Sequence, residues 1–99
     1  MSGNDIRGLH GISLEVKFCE TFNLKAWWNQ TVTQAERVKG IPVLIYRRSR
    51  IAWRVRMYGN IGDNMVNVKT IVDIDIDSFL IYYRHRVRAM LELQKQSVV

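Results

Sequence analysis

ISLEVK, residues 12–17, alternates apolar Ile12, Leu14 and Val16 with polar Ser13, Glu15 and Lys17. Successive side chains of a strand point to opposite faces, so this period of two predicts a strand with one face in a core and the other polar. Glu15 and Lys17 then share the polar face. Just upstream, Gly8-Leu9-His10-Gly11 has the two glycines of a turn with unusual dihedrals. Such a turn would fold Asp5-Ile6-Arg7 back along the strand and bring Asp5 towards Glu15.

From Leu24 the spacing changes. Leu24, Trp27, Trp28, Thr31, Ala35 and Val38 fall on one stripe at helical spacing. Asn23 is the candidate N-cap, and Gly40 followed by Pro42 ends the pattern, which predicts a helix over about 23–39. IPVLIYRR, residues 41–48, is a continuous β-branched and aromatic run, as expected of a strand buried on both faces. Arg48-Ser49-Arg50 would then be a tight connection to IAWRVRMY, residues 51–58, where Trp53, Val55 and Met57 alternate with Arg54 and Arg56. GNIGDN, residues 59–64, has the glycines and asparagines of a loop. MVNVKTIVDIDI, residues 65–76, predicts one more strand or two short ones. A final helix follows, from about Asp77 or Ser78 to about Gln94, with Phe79, Leu80, Tyr83, Val87, Met90 and Leu91 as its stripe. That order predicts an α/β or α+β domain spanning residues 1–99: a small mixed sheet with one central and one C-terminal helix.

Composition narrows the function classes. The chain has 99 residues, enough for one modest core, and at 47% hydrophobic and 24% charged it is of globular type. Fifteen Lys and Arg against nine Asp and Glu leave a formal charge of +6, which favours a polyanionic partner. Cys19, expected to be half-buried, is the only cysteine; that excludes an internal disulfide and a cysteine-rich zinc site, and suits a reducing cytoplasm. No apolar run approaches the roughly 18 residues of a membrane span, and MSGNDIRG is not a signal peptide.

Hydrolysis of a phosphodiester with a divalent metal needs hard oxygen ligands and a cation to steady the developing negative charge. Asp5, Glu15 and Lys17 are such a set, with the carbonyl of Val16 as a candidate third oxygen ligand for Mg²⁺ or Mn²⁺. Spacing alone leaves a second reading open, in which Glu15 and Lys17 form a solvated strand face. The wider pattern goes further. NDIRGLHGISLEVK, followed by LKAWWNQTVTQAE and then KGIPVLIYRRSRIAWRVRM, resembles the small phage and prophage endonucleases of the Holliday-junction-resolvase-like group in the PD-(D/E)XK superfamily. The resemblance spans residues 3–57, with a weaker echo in DSFLIYY.

What that resemblance implies is a restriction-endonuclease-like fold and Mg²⁺-dependent cleavage of DNA, branched DNA among its substrates, in the cytoplasm of a phage host. Asp5 matches the first metal carboxylate, Glu15 the second and Lys17 the catalytic lysine. A glutamine on the central helix often lies near the active site in the group, which makes Gln30, one turn before Gln34, a candidate for a water or phosphate contact. Members normally carry a helix and a strand before the first Asp. Their lack here leads us to expect a homodimer, or a complementing N-terminal piece. The rival reading is a non-catalytic nucleic-acid-binding or interaction module derived from such a nuclease.

Arg47, Arg48, Arg50, Arg54 and Arg56 form the densest basic cluster, and arginine suits bidentate phosphate contacts. A solvated edge hairpin is the alternative. Trp27 and Trp28, on a helix stripe, are expected in the core, and His10 on the surface. Asp73, Asp75 and Asp77 alternate with Ile74 and Ile76; a second metal site is one reading of them, but they are expected on an exposed strand face, with Asp77 or Ser78 capping the last helix.

Overall fold

The structure, a computed structural model, describes residues 10–97. Within them the expected order is found: β1 (Ile12–Phe18), α1 (Leu24–Val38), β2 (Ile41–Arg47), β3 (Arg54–Gly62), β4 (Asn67–Asp75) and α2 (Ile76–Ser97). The strands form one mixed sheet in the order β1-β2-β3-β4. β1 and β2 are parallel, and α1 is the crossover that parallel neighbours require. β2, β3 and β4 are successively antiparallel. The fold is α/β.

The pleat assigns each strand residue to a helix. Ile12, Val43, Val55 and Met57 form one buried cluster with Phe79 of α2. Leu44 and Tyr46, the alternate residues of β2, cluster instead with Trp28 of α1. β2 is thus covered on both faces, as its unbroken apolar run requires. Trp28, Thr31 and Ala35 are the buried face of α1, and Thr31 returns its hydroxyl proton to the carbonyl of Trp27 at 2.8 Å.

Several local expectations need correction. β3 starts at Arg54, so the β2–β3 connection is longer than Arg48-Ser49-Arg50. Arg50 takes a left-handed φ of 70°, the Ile51 N–H turns back to the carbonyl of Arg48, and Glu20 accepts hydrogen bonds from the Ser49 N–H and hydroxyl. β3 also continues through Gly59–Gly62, which were expected in a loop. A Cβ on Gly59 would stand 2.9 Å from Val72 of β4, so glycine here admits the neighbouring strand rather than breaking its own. The turn lies just beyond, where Asp63 Oδ1 accepts the N–H groups of Met65 and Val66.

Helix ends differ too. Asn23 precedes α1 but makes no side-chain cap bond, and Lys39, not Gly40, takes the left-handed position after it. Gly40 serves close approach: a Cβ there would lie 3.2 Å from the carbonyl oxygen of Gly11. α2 is capped by Asp75, whose carboxylate accepts the Ser78 N–H at 2.9 Å and its hydroxyl at 2.6 Å. Of the α2 stripe only Phe79 is buried; Leu80 and Leu91 are exposed. Cys19 is exposed rather than half-buried, because the chain leaves the sheet there after a last bond from its N–H to the carbonyl of Arg47.

Candidate active site

Register decides what gathers on the α1 face. Glu15 lies beside Leu44, Leu44 beside Arg56, and Arg56 beside Asp73. One step along, Lys17, Tyr46, Arg54 and Asp75 form a parallel row. A sheet has an even pleat, so all of these residues except buried Leu44 and Tyr46 carry charge onto one face at one end.

Lys17 Nζ lies 3.8 Å from Glu15 Oε1, with the two side chains 29% and 20% exposed. Both are therefore half-buried yet open to solvent. Glu15 offers hard carboxylate oxygens, and among the described residues Lys17 is its only ion-pair partner. Such a donor suits Mg²⁺ or Mn²⁺. Asp5, the other expected carboxylate ligand, lies outside the described residues. Among those described, no three His, Cys, Asp or Glu side chains come together as a metal-ligand group.

Farther along the row the charges are committed to one another. Arg56 grips Asp73 with both prongs, Nε to Oδ1 at 2.9 Å and Nη2 to Oδ2 at 2.8 Å. The Tyr46 hydroxyl donates to the same Oδ1 at 2.9 Å, and Arg54 Nη2 donates to the Asp73 carbonyl at 3.3 Å. The Arg56 guanidinium holds the Asp73 carboxyl below the ordinary range, and Asp73 raises Arg56 in return. Burial, and then the bond to Asp73, push the Tyr46 phenol up. Asp73 is on the exposed strand face, as expected, and its carboxylate is also the hub that fixes Tyr46 beside Lys17. Both of its oxygens are engaged by neighbouring side chains.

The remaining expected residues are distributed around this end. Val16 carries its side chain to the opposite face, next to Ile45 in register. Gln30 is exposed and lines a shallow depression on α1 with Ala26, Asn29, Thr33, Gln34 and Arg37, none of them from β1. Arg48 and Arg50 are exposed in the β2–β3 connection, Arg48 standing 5.7 Å over the ring of Phe22. Arg47 is on the α2 face between the rings of Phe18 and Trp53, 5.2 Å from each. His10 is drawn to α2, where its carbonyl accepts Arg86 Nε at 2.7 Å and its ring meets Tyr83. Trp28 is buried and Trp27 half-buried, as expected of a helix stripe.

Tyr46 and Asp73 are the site neighbours that the sequence did not reveal. The register rests on the four-residue turn Asp63–Val66: with Gly62 paired to Asn67 across it, Asp73 falls opposite Arg56.

A family model described as "Phage putative PDDEXK endonuclease" matches residues 9–96. No curated protein and no solved structure matches the chain. No helix among the described residues is long and apolar enough to cross a membrane.

Proposed function

The chain belongs to the phage PDDEXK endonuclease family, and on that premise we propose that it cleaves DNA phosphodiesters with Mg²⁺ or Mn²⁺ at the face carrying Glu15 and Lys17. The observation that carries this reading is the half-buried Glu15–Lys17 pair, 3.8 Å apart. In a PD-(D/E)XK site a carboxylate and a lysine two residues apart on one strand face perform complementary tasks. Asp5, Glu15 and the Val16 carbonyl would hold the cation, which supplies Lewis acidity at the scissile phosphate and to the attacking water. Lys17 presents its ammonium to the charge that develops on the phosphate oxygens. Gln30 is assigned a water or phosphate contact at the edge of the site.

Arg47, Arg48, Arg50, Arg54 and Arg56 are assigned to the DNA backbone, where arginines position a duplex without reading its sequence. Within this set Arg56 acts from its clamp on Asp73, while Arg54, Arg48 and Arg50 are exposed. Branched, Holliday-junction-like DNA is the proposed substrate. A two-fold dimer, or pairing with a complementing N-terminal piece, is the proposed assembly; a dimer would put two such faces on one particle, which suits cutting two strands.

Cleavage of branched and linear DNA in Mg²⁺ tests the reading. Asp5→Asn, Glu15→Gln and Lys17→Ala should each lower the rate by about 10²–10³-fold or more while circular dichroism stays unchanged, in line with loss of one charge-stabilising group. A Lys17→Ala protein that cuts as fast as wild type removes the assignment. Calorimetric titration with Mn²⁺ separates the rival binding module: heat with wild type and none with Glu15→Ala supports the metal site, whereas DNA binding that is indifferent to metal supports the module.

A further inference from the structure

The last residue of β1 points away from the Glu15–Lys17 face and is conspicuous for a different reason. Phe18 is 54% exposed, although it sits at the end of a strand whose first residues are fully buried. Its ring and that of Trp53 are 6.4 Å apart and inclined at 56°. The Arg47 guanidinium lies over both, at 5.2 Å from each centroid. Arg47 Nε is buried with no hydrogen-bond partner, and among the described residues no carboxylate pairs with the guanidinium. The arginine is held by rings, and its charge is left for something else.

Around this stack the charge is one-sided. Arg48 and Arg50 are exposed in the adjoining connection, Arg48 over the ring of Phe22, while Lys17 turns to the other face of the sheet. Glu20 is occupied by Ser49 of that connection, and these hydrogen bonds, ahead of the weaker fields of Arg48 and Arg47, hold its carboxyl below the ordinary range. An exposed aromatic ring backed by a cation, with two more arginines in the adjoining connection, suits a partner that is both flat and anionic. It matches the chemistry of a nucleotide: a flat base for the ring and a phosphate for the arginines.

We propose that Phe18, Arg47 and Trp53 form a stacking platform for an unpaired nucleobase of a DNA strand, with Arg48 and Arg50 meeting the strand's phosphates. Duplex DNA keeps its bases stacked on one another, so the platform selects single-stranded, frayed or branch-point segments. The binding stands on its own geometry. Its service to cleavage, by holding an opened strand around the sheet end from Lys17, rests on the endonuclease reading above.

The test is metal-free binding, in the presence of chelator, of a fluorescently labelled oligothymidylate and of a duplex of equal length. Wild type should bind the single strand with quenching of tryptophan emission. Phe18→Leu, which keeps an apolar side chain but removes the ring, should weaken single-strand binding about tenfold and leave duplex binding unchanged. Phe18→Tyr should restore it. Trp53→Phe should retain binding and lose the quench, since Trp27 and Trp28 remain in the protein. Equal oligothymidylate binding by wild type and Phe18→Leu would overturn the proposal, as would an equal loss for single strand and duplex, which is the mark of phosphate contacts alone. A dimer that Phe18→Leu dissociates in light scattering, with single-strand binding intact, would assign the surface to a second copy instead. Because these readouts need no cleavage, a catalytically silent protein still decides the platform, and a failed platform leaves Glu15 and Lys17 untouched.

Discussion

The two faces of this sheet are built on opposite terms. Towards α2, Ile12, Val43, Val55, Met57 and Phe79 make a buried apolar cluster, with Arg47 the charged residue at its strand end. Towards α1, the apolar cover of Leu44, Tyr46 and Trp28 gives way at one end to Glu15, Lys17, Arg54, Arg56 and Asp73. One face supplies stability through area removed from water. The other keeps charges half-buried, which is tolerable only because they are paired or near solvent. A small domain can thus hold polar groups in fixed positions on one face because the reverse face anchors the same strands.

That contrast can be broken most severely from the dry side. Phe79→Ala empties the contact between α2 and the sheet and should cost about 3–5 kcal/mol, read as a shift in denaturation midpoint. A loss below about 1 kcal/mol would mean that α2 is a loosely attached cover and that the two faces do not differ as described.

On the polar side the expected costs are smaller. Asp73→Asn removes the charge that Arg56 grips. The pair is partly exposed, with side chains 20% and 33% accessible, so after solvent screening about 1–2 kcal/mol is expected at neutral pH. The effect has a pH signature. The folded-state pKa of Asp73 is depressed, so its stabilisation is complete above the unfolded-state value of about 3.9 and is lost as pH falls through the folded-state value. Melting curves of wild type and Asp73→Asn should therefore be separated at pH 7 and converge on acidification below about pH 4. A constant separation would assign the effect to shape rather than charge.

Tyr46→Phe is the mildest change, since it removes one hydroxyl from Asp73 and keeps the ring packed by Phe22 and Trp28. About 0.5–1.5 kcal/mol is expected. Its value lies in a cycle with Asp73→Asn: costs that add would show Tyr46 and Asp73 to be independent, whereas a shortfall from additivity marks one network.

Local pattern was legible where neighbours in sequence report one environment. The stripe through Trp28, Thr31 and Ala35, the unbroken run of β2, and the alternation of Val55 and Met57 with Arg54 and Arg56 all follow from periodicity, because period sets which face a side chain joins. Glu15 and Lys17 were assigned to one polar face on the same ground. GNIGDN misled because glycine has two uses: Gly59 and Gly62 lie within β3, and Gly59 admits Val72 rather than making a turn. Asp73 lies on the exposed face as expected, but its partners were not legible. An aspartate alternating with isoleucines has the same pattern whether it meets water or an arginine.

By itself the sequence determined the elements, their order and the side of the sheet to which most residues turn, since these depend on interactions within a few residues along the chain. Its charge of +6 favoured a polyanionic partner. Tertiary structure decided everything that depends on which strand lies beside which and in what register: Tyr46 and Arg56 on Asp73, Glu20 on Ser49, and Arg47 between Phe18 and Trp53. The physical reason is range. A periodic pattern records whether a side chain is covered, which is a property of its own strand, whereas a hydrogen bond or a ring contact needs two atoms within a few ångströms. In this chain the hydrogen-bonded atoms named above come from residues 17, 27 or 29 apart.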